Sequence, residues 1–399
     1  MGQKENNTVD RESFLEFLIG LRSDLIFYEG VVNSLTQQVL YKRTAPENRF
    51  FKKTLRSLFD VPDFLQMEPG HGGRVKILKA PLTYGFLIDL RAYKHTEDYL
   101  RNTFGKRSRS KLRRYKKRLD QCISPNYRMY YGEMEKEVYD FLFAELETMI
   151  KRRFAQKREQ SFELPFLPVY QQILYRAILD KKGSMFVIYD GARPINISIN
   201  FIYGHTLFSC NSCYDIDYSA FSLGNIDMVT HLDWCFEHGL KVFDAGRGDF
   251  IHKRKWVNTR YLYQRHIFYD SSSLYLRLQG YLIALKTKVL FWLLRALRKM
   301  NLHIAYGALV RLLYRQDKGQ SQKIPPSFVL NQKIEIPSTE DLTPIDLSEE
   351  ANAFLRKPLY DFLYTNHESK QAVTVLGHPK HRNKFYFKGK NANASLLLS

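Results

Sequence analysis

The chain has 399 residues, 14% of them aromatic, and carries 61 Lys and Arg against 41 Asp and Glu for a formal charge of +20. That length suits two or three packed units, and the aromatic load excludes an intrinsically disordered chain. The positive excess points to an anionic partner, whether nucleic acid, anionic lipid or a phosphorylated cofactor, without choosing among them.

The opening stretch MGQKENNTVDRESF lacks the apolar core of a secretory signal, and no run reaches the roughly 18 apolar residues of a spanning helix. Four cysteines without such a signal fit a reducing cytoplasm. Asp10 is a plausible N-cap for a short helix with an apolar stripe at Phe14, Phe17, Leu18 and Leu21, and strand-like runs follow over 25–28, 75–78 and 85–90.

The stretch KRSRSKLRRYKKR, residues 106–118, has nine basic residues among thirteen and no acidic one. Leu112, Tyr115 and Leu119 recur at helical spacing, so it is expected to be a helix with one apolar seam and a cationic remainder. It reads equally as a solvated connector or as an electrostatic platform for phosphates.

After Pro125 a strand over 127–131 precedes a long helix with its stripe at Val138, Phe141, Leu142, Leu146, Met149 and Ile150. A second helix covers 169–179. Strands over 185–189, 195–203 and 206–212, turned by Asp190-Gly191 and Gly204-His205, make an antiparallel meander; in the middle one Asn196, Ser198 and Asn200 alternate with apolar residues. A helix capped by Asn225 or Ser222 then buries Met228, Leu232, Cys235 and Phe236 and stops at Gly239. The strand over 240–244, separated from the meander by that helix, should join it in parallel, and 261–269 supplies one more strand. The fold class is α/β in the α+β sense, with a mixed sheet.

Where the parallel pair begins, the preceding strand's backbone groups are not fully used, and the adjacent helix start points unpaired N–H groups outward. Such a place favours anions. This order resembles the GNAT acyltransferase fold, in which the pyrophosphate of acyl-coenzyme A lies at that helix start. Residues from about 85 to 260 are similar to the CelD/BcsL-type acetyltransferases, relatives of the FemAB-like transferases that carry two GNAT-like lobes in tandem. The resemblance rests on RSRSKLRRYKKRL, on YDIDYSAFSLGNIDMVTHLDWCFEHGLKVFDAGRGD with its S-x-G turn, helix and FD.G.GD strand, and on GDFIHKRKW, which matches the pattern G-[DE]-x-x-Y-K-x-x-W. The chain departs from the pattern in two ways. Its turn has only Ser222 and Gly224, with Asp227 close enough to compete with a phosphate, and His252 stands where the family has a tyrosine.

The resemblance implies an N-terminal GNAT-like lobe at 1–120 and an acyltransferase lobe at 121–272; beyond it, the residue pattern reads as basic amphipathic helices at 273–318 and an appendage at 319–399 that the resemblance does not cover. It implies that Ser222, Gly224, Asn225 and Ile226 hold the diphosphate of acetyl-CoA or another acyl-CoA. Asp249 is the candidate base or acceptor-binding group, though aspartate after glycine is also a common turn residue. Lys253 is the candidate for holding an acceptor carboxylate or phosphate, or for balancing charge in the reaction; its ordinary reading is a surface lysine. Tyr218 or Tyr214 is the candidate proton donor to the departing thiolate, with core packing as the alternative. Cys210, Cys213, Cys235 and His238 have a spacing zinc can use, but Cys210 and Cys213 should face opposite ways on a strand, so buried thiols and no metal are expected.

The implied activity is acyl-CoA-dependent transfer to an amine or hydroxyl of a sugar or cell-envelope precursor. A FemAB-like transfer from aminoacyl-tRNA is the alternative, and a non-catalytic RNA- or membrane-binding protein is a third. Residues 273–316 interleave Leu, Phe and Trp with Arg277, Lys286, Lys288, Arg295, Arg298, Lys299, Arg311 and Arg315, which suits either an anionic membrane surface or packing on the lobes. The expected location is the cytoplasm or the inner membrane surface. Pro325, Pro326, Pro337 and Pro344 mark a linker, and QAVTVLGHPKHRNKFYFKG suggests a hairpin.

Overall fold

A computed structural model describes residues 11–13, 28–42, 55–69, 75–161, 163–248, 251–300, 328–332, 334, 336 and 342–398. In chain order come β1 (Arg11–Ser13), β2 (Tyr28–Asn33), β3 (Gln38–Lys42), β4 (Leu55–Pro62), β5 (Leu65–Pro69) and β6 (Val75–Asp89), then helices α1 (Thr96–Thr103) and α2 (Lys106–Ile123). β7 (Asn126–Tyr130), α3 (Lys136–Lys157) and α4 (Leu167–Leu179) lead into the meander β8 (Gly183–Asp190), β9 (Arg193–Tyr203) and β10 (Thr206–Tyr214). A 3-10 turn (Ile216–Phe221), α5 (Leu223–Glu237), β11 (Val242–Arg247), α6 (Ile251–Arg254), β12 (Thr259–Asp270) and α7 (Leu274–Lys299) follow. The C-terminal part holds β13 (Phe328–Gln332), β14 (Thr343–Pro344), α8 (Arg356–Asn366), β15 (Thr374–His378), β16 (His381–Lys388) and β17 (Asn393–Leu398).

The main sheet is mixed, in the order β1-β4-β12-β6-β11-β10-β9-β8-β7. β10 and β11 pair in parallel, as the intervening helix requires, and β1 and β4 are a second parallel pair. Strands on both sides of the expected boundary at 120 therefore share one sheet, and α2 runs across that boundary to Ile123. Where the sequence suggested a helix starting after Asp10, residues Arg11–Ser13 are a strand; Asp10 and the stripe from Phe14 to Leu21 lie outside the described residues.

β6 is one strand of 15 residues, joining the separate runs expected over 75–78 and 85–90. Pro81, which has no N–H to give to a ladder, faces Gln264 beside a break in register. Gly85 is required because the ring of Tyr261 lies where its Cβ would stand.

Both faces of the meander are buried. One face packs Met185, Val187, Ile197, Ile199 and Phe201 against Leu142, Leu146, Ile150 and Ile173 of α3 and α4. Phe141, expected in that stripe, is 49% exposed, while Tyr139 and Phe143 take the inward positions. The other face carries the polar row of β9, which sits under α5 instead of in solvent. Asp227 accepts from Ser198 Oγ at 2.6 Å and Asn196 Nδ2 at 2.9 Å, and His231 bonds Asn200 at 3.0 Å. Burial of a polar row demands such mutual bonds, and here they are made by the Asn196 and Asn200 amide nitrogens and the Ser198 hydroxyl, while Asn196 Oδ1 and Asn200 Oδ1 are left without a partner.

α7 lays Leu276, Gly280, Ala284, Thr287 and Phe291 on β6 and β12. Its opposite side is apolar and exposed, with Leu278 at 60% and Leu285 and Trp292 at 58%. No helix among the described residues is long and apolar enough to cross a membrane. At the C-terminus the expected hairpin is β15–β16, within a five-stranded sheet of order β13-β17-β16-β15-β14. α8 packs Leu359, Phe362 and Leu363 against Phe221, Leu223 and Ile226, so this module is seated on the start of α5.

Candidate functional site

The parallel ladder between β10 and β11 is short: Thr206, Leu207 and Phe208 pair with Val242, Phe243 and Asp244, and there it ends. A bulge between Ser209 and Asn211 of β10 turns that strand away, and Gly246 of β11 adopts φ +70° just past the last pair. Backbone groups beyond Phe208 thus face a gap between two diverging strands.

α5 begins at this same end of β10. Ser222 stands at its N-cap in the left-handed region (φ 57°, ψ 45°), so its side chain makes no cap bond, and the first turn contains no acid. The first amides of a helix have no intrahelical acceptor and carry the positive end of its dipole. A Cβ at Gly224 would meet nothing within 4 Å, so the approach is open. Two cations flank it. Lys255 Nζ donates to Asn225 Oδ1 at 2.8 Å, and Lys111 of α2 lies 5.7 Å from the ring of Tyr115. Burial opposes ionisation of Tyr115, but hydrogen bonds with Ser222 and Lys111 and the charges of Lys111 and Lys255 together bring its phenol below the usual range.

Of the four residues expected to hold a diphosphate, Ser222, Gly224 and Asn225 line this approach. Ile226 turns its side chain into the core, leaving only its backbone toward the helix start. Asp227, expected to compete with a phosphate, faces the sheet and accepts from β9. The concern it raised does not apply.

At the base of the gap lies a group of polar side chains, of which Asp244 and Tyr261 are buried and Glu163, Lys253 and Tyr263 half-buried. Asp244, 1% exposed, accepts from Tyr261 Oη at 2.8 Å to each oxygen and from the Gly246 amide at 2.8 Å. Desolvation pushes its carboxyl up to about 6, against the lowering effect of these bonds and of Lys253. Tyr261 and Tyr263 project from the same face of β12, and burial holds both phenols well above their usual value. Arg247 pairs with Asp60 and stacks 5.2 Å from Tyr263. Glu163, just ahead of α4, accepts from Asn211 Nδ2 at 3.1 Å; desolvation raises its carboxyl, opposed by that bond and by Arg153, Lys253 and Lys157.

Lys253 joins this group. Its Nζ donates to Ala245 O at 2.6 Å and Arg247 O at 2.9 Å, tying α6 to the end of β11, and desolvation lowers its affinity for a proton. Asp249 lies outside the described residues. Tyr218 is elsewhere: it is fully buried, donates to Asp190 Oδ2 at 2.7 Å and contacts the hydroxyl of Tyr360, so its phenol is committed to the joint with the C-terminal module. Tyr214 sits at the end of β10 with Arg153 5.0 Å from its ring. Cys213 belongs to the core under α3 and α4 and Cys235 to the one under α5, and no group of three metal-ligating side chains occurs among the described residues.

Sequence reasoning did not single out Asp244, Tyr261, Tyr263 or Glu163. Asp244 is the first of the two aspartates of the FD.G.GD motif, and the tyrosines at alternate positions of a strand share a face. Nothing local marks Glu163; the fold brings it from 81 positions before Asp244.

Residues 106–254 match the family model of the acetyltransferase (GNAT) domain. The match runs from the first residue of α2 to the last of α6, enclosing the cationic helix, the helix start and the gap. By class the protein is an acyltransferase. No curated protein matches the chain in sequence. Among solved structures the chain is similar to FemX (13% identity, 55% of this chain and 73% of that one, TM-score 0.37). It is also similar to L-PGS from Bacillus licheniformis (13% identity, 58% and 72%, TM-score 0.35). A third is a conserved protein of unknown function from Bacteroides thetaiotaomicron VPI-5482 (8% identity, 54% and 69%, TM-score 0.36).

Proposed function

We propose that the protein is an acyl-CoA-dependent N- or O-acyltransferase of the CelD/BcsL type, acting on an amine or hydroxyl of a sugar or cell-envelope precursor. The observation that carries this reading is the open, uncapped first turn of α5, set between Lys111 and Lys255 at the mouth of the β10/β11 gap. Amides at Leu223 and Gly224 with two flanking ammonium groups fit a diphosphate. When bound, acyl-CoA supplies an activated thioester carbonyl. The chain's part is to seat it, to take the acceptor's proton and to supply one to the departing sulfur.

Glu163 is the group we assign to proton removal, because its raised carboxyl sits where β10 bulges away from β11. Asp244 positions Tyr261, whose neutral phenol donates. Lys253 fixes α6 and adds positive charge beside both carboxyls. The exposed face of α7 would rest on an anionic membrane, where a lipid-linked acceptor is presented: the helix as a whole has six Lys and Arg and no acid among its 26 residues. The cationic exterior of α2 keeps transfer from aminoacyl-tRNA as the second reading.

Thermal unfolding with acetyl-CoA and with charged tRNA tests these readings. A ligand at 100 times its Kd stabilises by about 2.7 kcal/mol, which is a shift of several degrees. We expect it for acetyl-CoA, and expect Gly224→Trp, which has room to fold, to abolish it. Stabilisation by tRNA alone selects the second reading, and an equal shift in wild type and Gly224→Trp defeats the cradle.

A further inference from the structure

A cavity of about 580 Å³ lies between the second half of α7 and the β6/β12 ladder. Arg260 and Tyr261 are neighbours on β12 and so point to opposite faces. The cavity is therefore across the sheet from the Asp244 group. Four guanidinium groups border it, from Arg254, Arg260, Arg295 and Arg298, and no acidic side chain does among the described residues.

Arg260 and Arg295 are held by Tyr84. Arg260 stacks 4.3 Å from the ring of Tyr84, and Arg295 donates to the Tyr84 hydroxyl at 2.8 Å while lying 5.8 Å from the same ring. A single tyrosine thus fixes two guanidinium groups around one space. Phe291 forms an apolar wall. Like charges gathered without an acid favour binding an anion, and planar guanidinium forks match phosphate oxygens. The volume is within the range of small-ligand pockets.

We propose that this cavity binds a phosphate monoester or diester group, with Arg260 and Arg295 as its fixed ligands and Arg298 closing on it. The site is separate from the α5 cradle and does not depend on acyl transfer. The phosphate belongs either to a lipid headgroup, delivered along α7, or to a free phosphorylated metabolite.

Titration calorimetry on the full chain tests it, with dihexanoyl phosphatidylglycerol below its micellar concentration and with glycerol 3-phosphate. Saturable binding of at least one probe is expected, weakened about tenfold or more by Arg260→Ala with Arg295→Ala, as loss of two charge-assisted contacts implies. Arg298→Ala, on the exposed end of α7, should weaken it several-fold and serves if the double variant unfolds. Lys286→Ala with Lys288→Ala should leave both probes unaffected. Preference for the lipid assigns a headgroup, and equal binding assigns a free phosphate. Absence of saturable binding of both probes, or binding indifferent to all three arginine substitutions, overturns the proposal.

Discussion

Asp244→Asn isolates one buried carboxyl and gives a signed pH effect. In the folded protein the carboxyl titrates at about 6, against 3.8 for the ordinary group, because burial penalises its charge more than Tyr261, Gly246 and Lys253 favour it. That gap corresponds to ~3 kcal/mol at most. The folded value is the higher one, so the contribution to stability is complete below about pH 3.8 and is lost as pH rises through about 6. Asparagine keeps an acceptor for the Gly246 amide, offers its amide group to the Tyr261 oxygen and has no charge to desolvate. Urea unfolding followed by tryptophan fluorescence should show the variant gaining on wild type between pH 4 and 7, by up to ~3 kcal/mol. Burial also raises the carboxyls of Glu163 and Asp217, but these are common to both proteins and cancel. Parallel stability curves across that range would refute the reasoning.

Arg152 bonds Asp215 at 2.7 Å and Asp217 at 3.0 Å, both carboxylates being nearly buried, so Arg152→Ala should cost roughly 3 kcal/mol in denaturant unfolding; Arg193 still serves Asp215. Gly85→Ala drives a methyl into the ring of Tyr261 and should cost about 1–3 kcal/mol while freeing Asp244 from its phenol donor, and an unchanged Tm would contradict that packing. Lys111→Ala with Lys255→Ala should weaken acetyl-CoA about tenfold in calorimetry and flatten the dependence on salt; equal affinities at low ionic strength would remove both lysines from the cradle.

The elements that frame the site were legible because each has a strong local period. Leu112, Tyr115 and Leu119 mark α2; the alternation from Ile195 to Tyr203 marks β9; and a helix between β10 and β11 dictates their parallel pairing. What escaped depends on neighbours distant in the chain. The runs 75–78 and 85–90 read as two strands until β12 is seen pairing with the chain from Val75 to Leu87. The alternation of Asn196, Ser198 and Asn200 is visible in the sequence, but not that Asp227 and His231 of a later helix descend on them. Tyr218 and Glu163 differ in the same way: the first is claimed by Tyr360, 142 positions away, and the second gains its partner Asn211 only when α3 and α4 fold over β10.

The seating of α8 has a consequence for any shortened form of the protein. Phe221, Leu223 and Ile226, which flank the turn where α5 starts, lean on Leu359, Phe362 and Leu363, while Lys370 reaches Asp190 beneath Tyr218. The last sixty or so residues act as a keystone. Cut away, they would leave a greasy scar under Ser222 and unmoor the very bend on which nucleotide capture is proposed to turn.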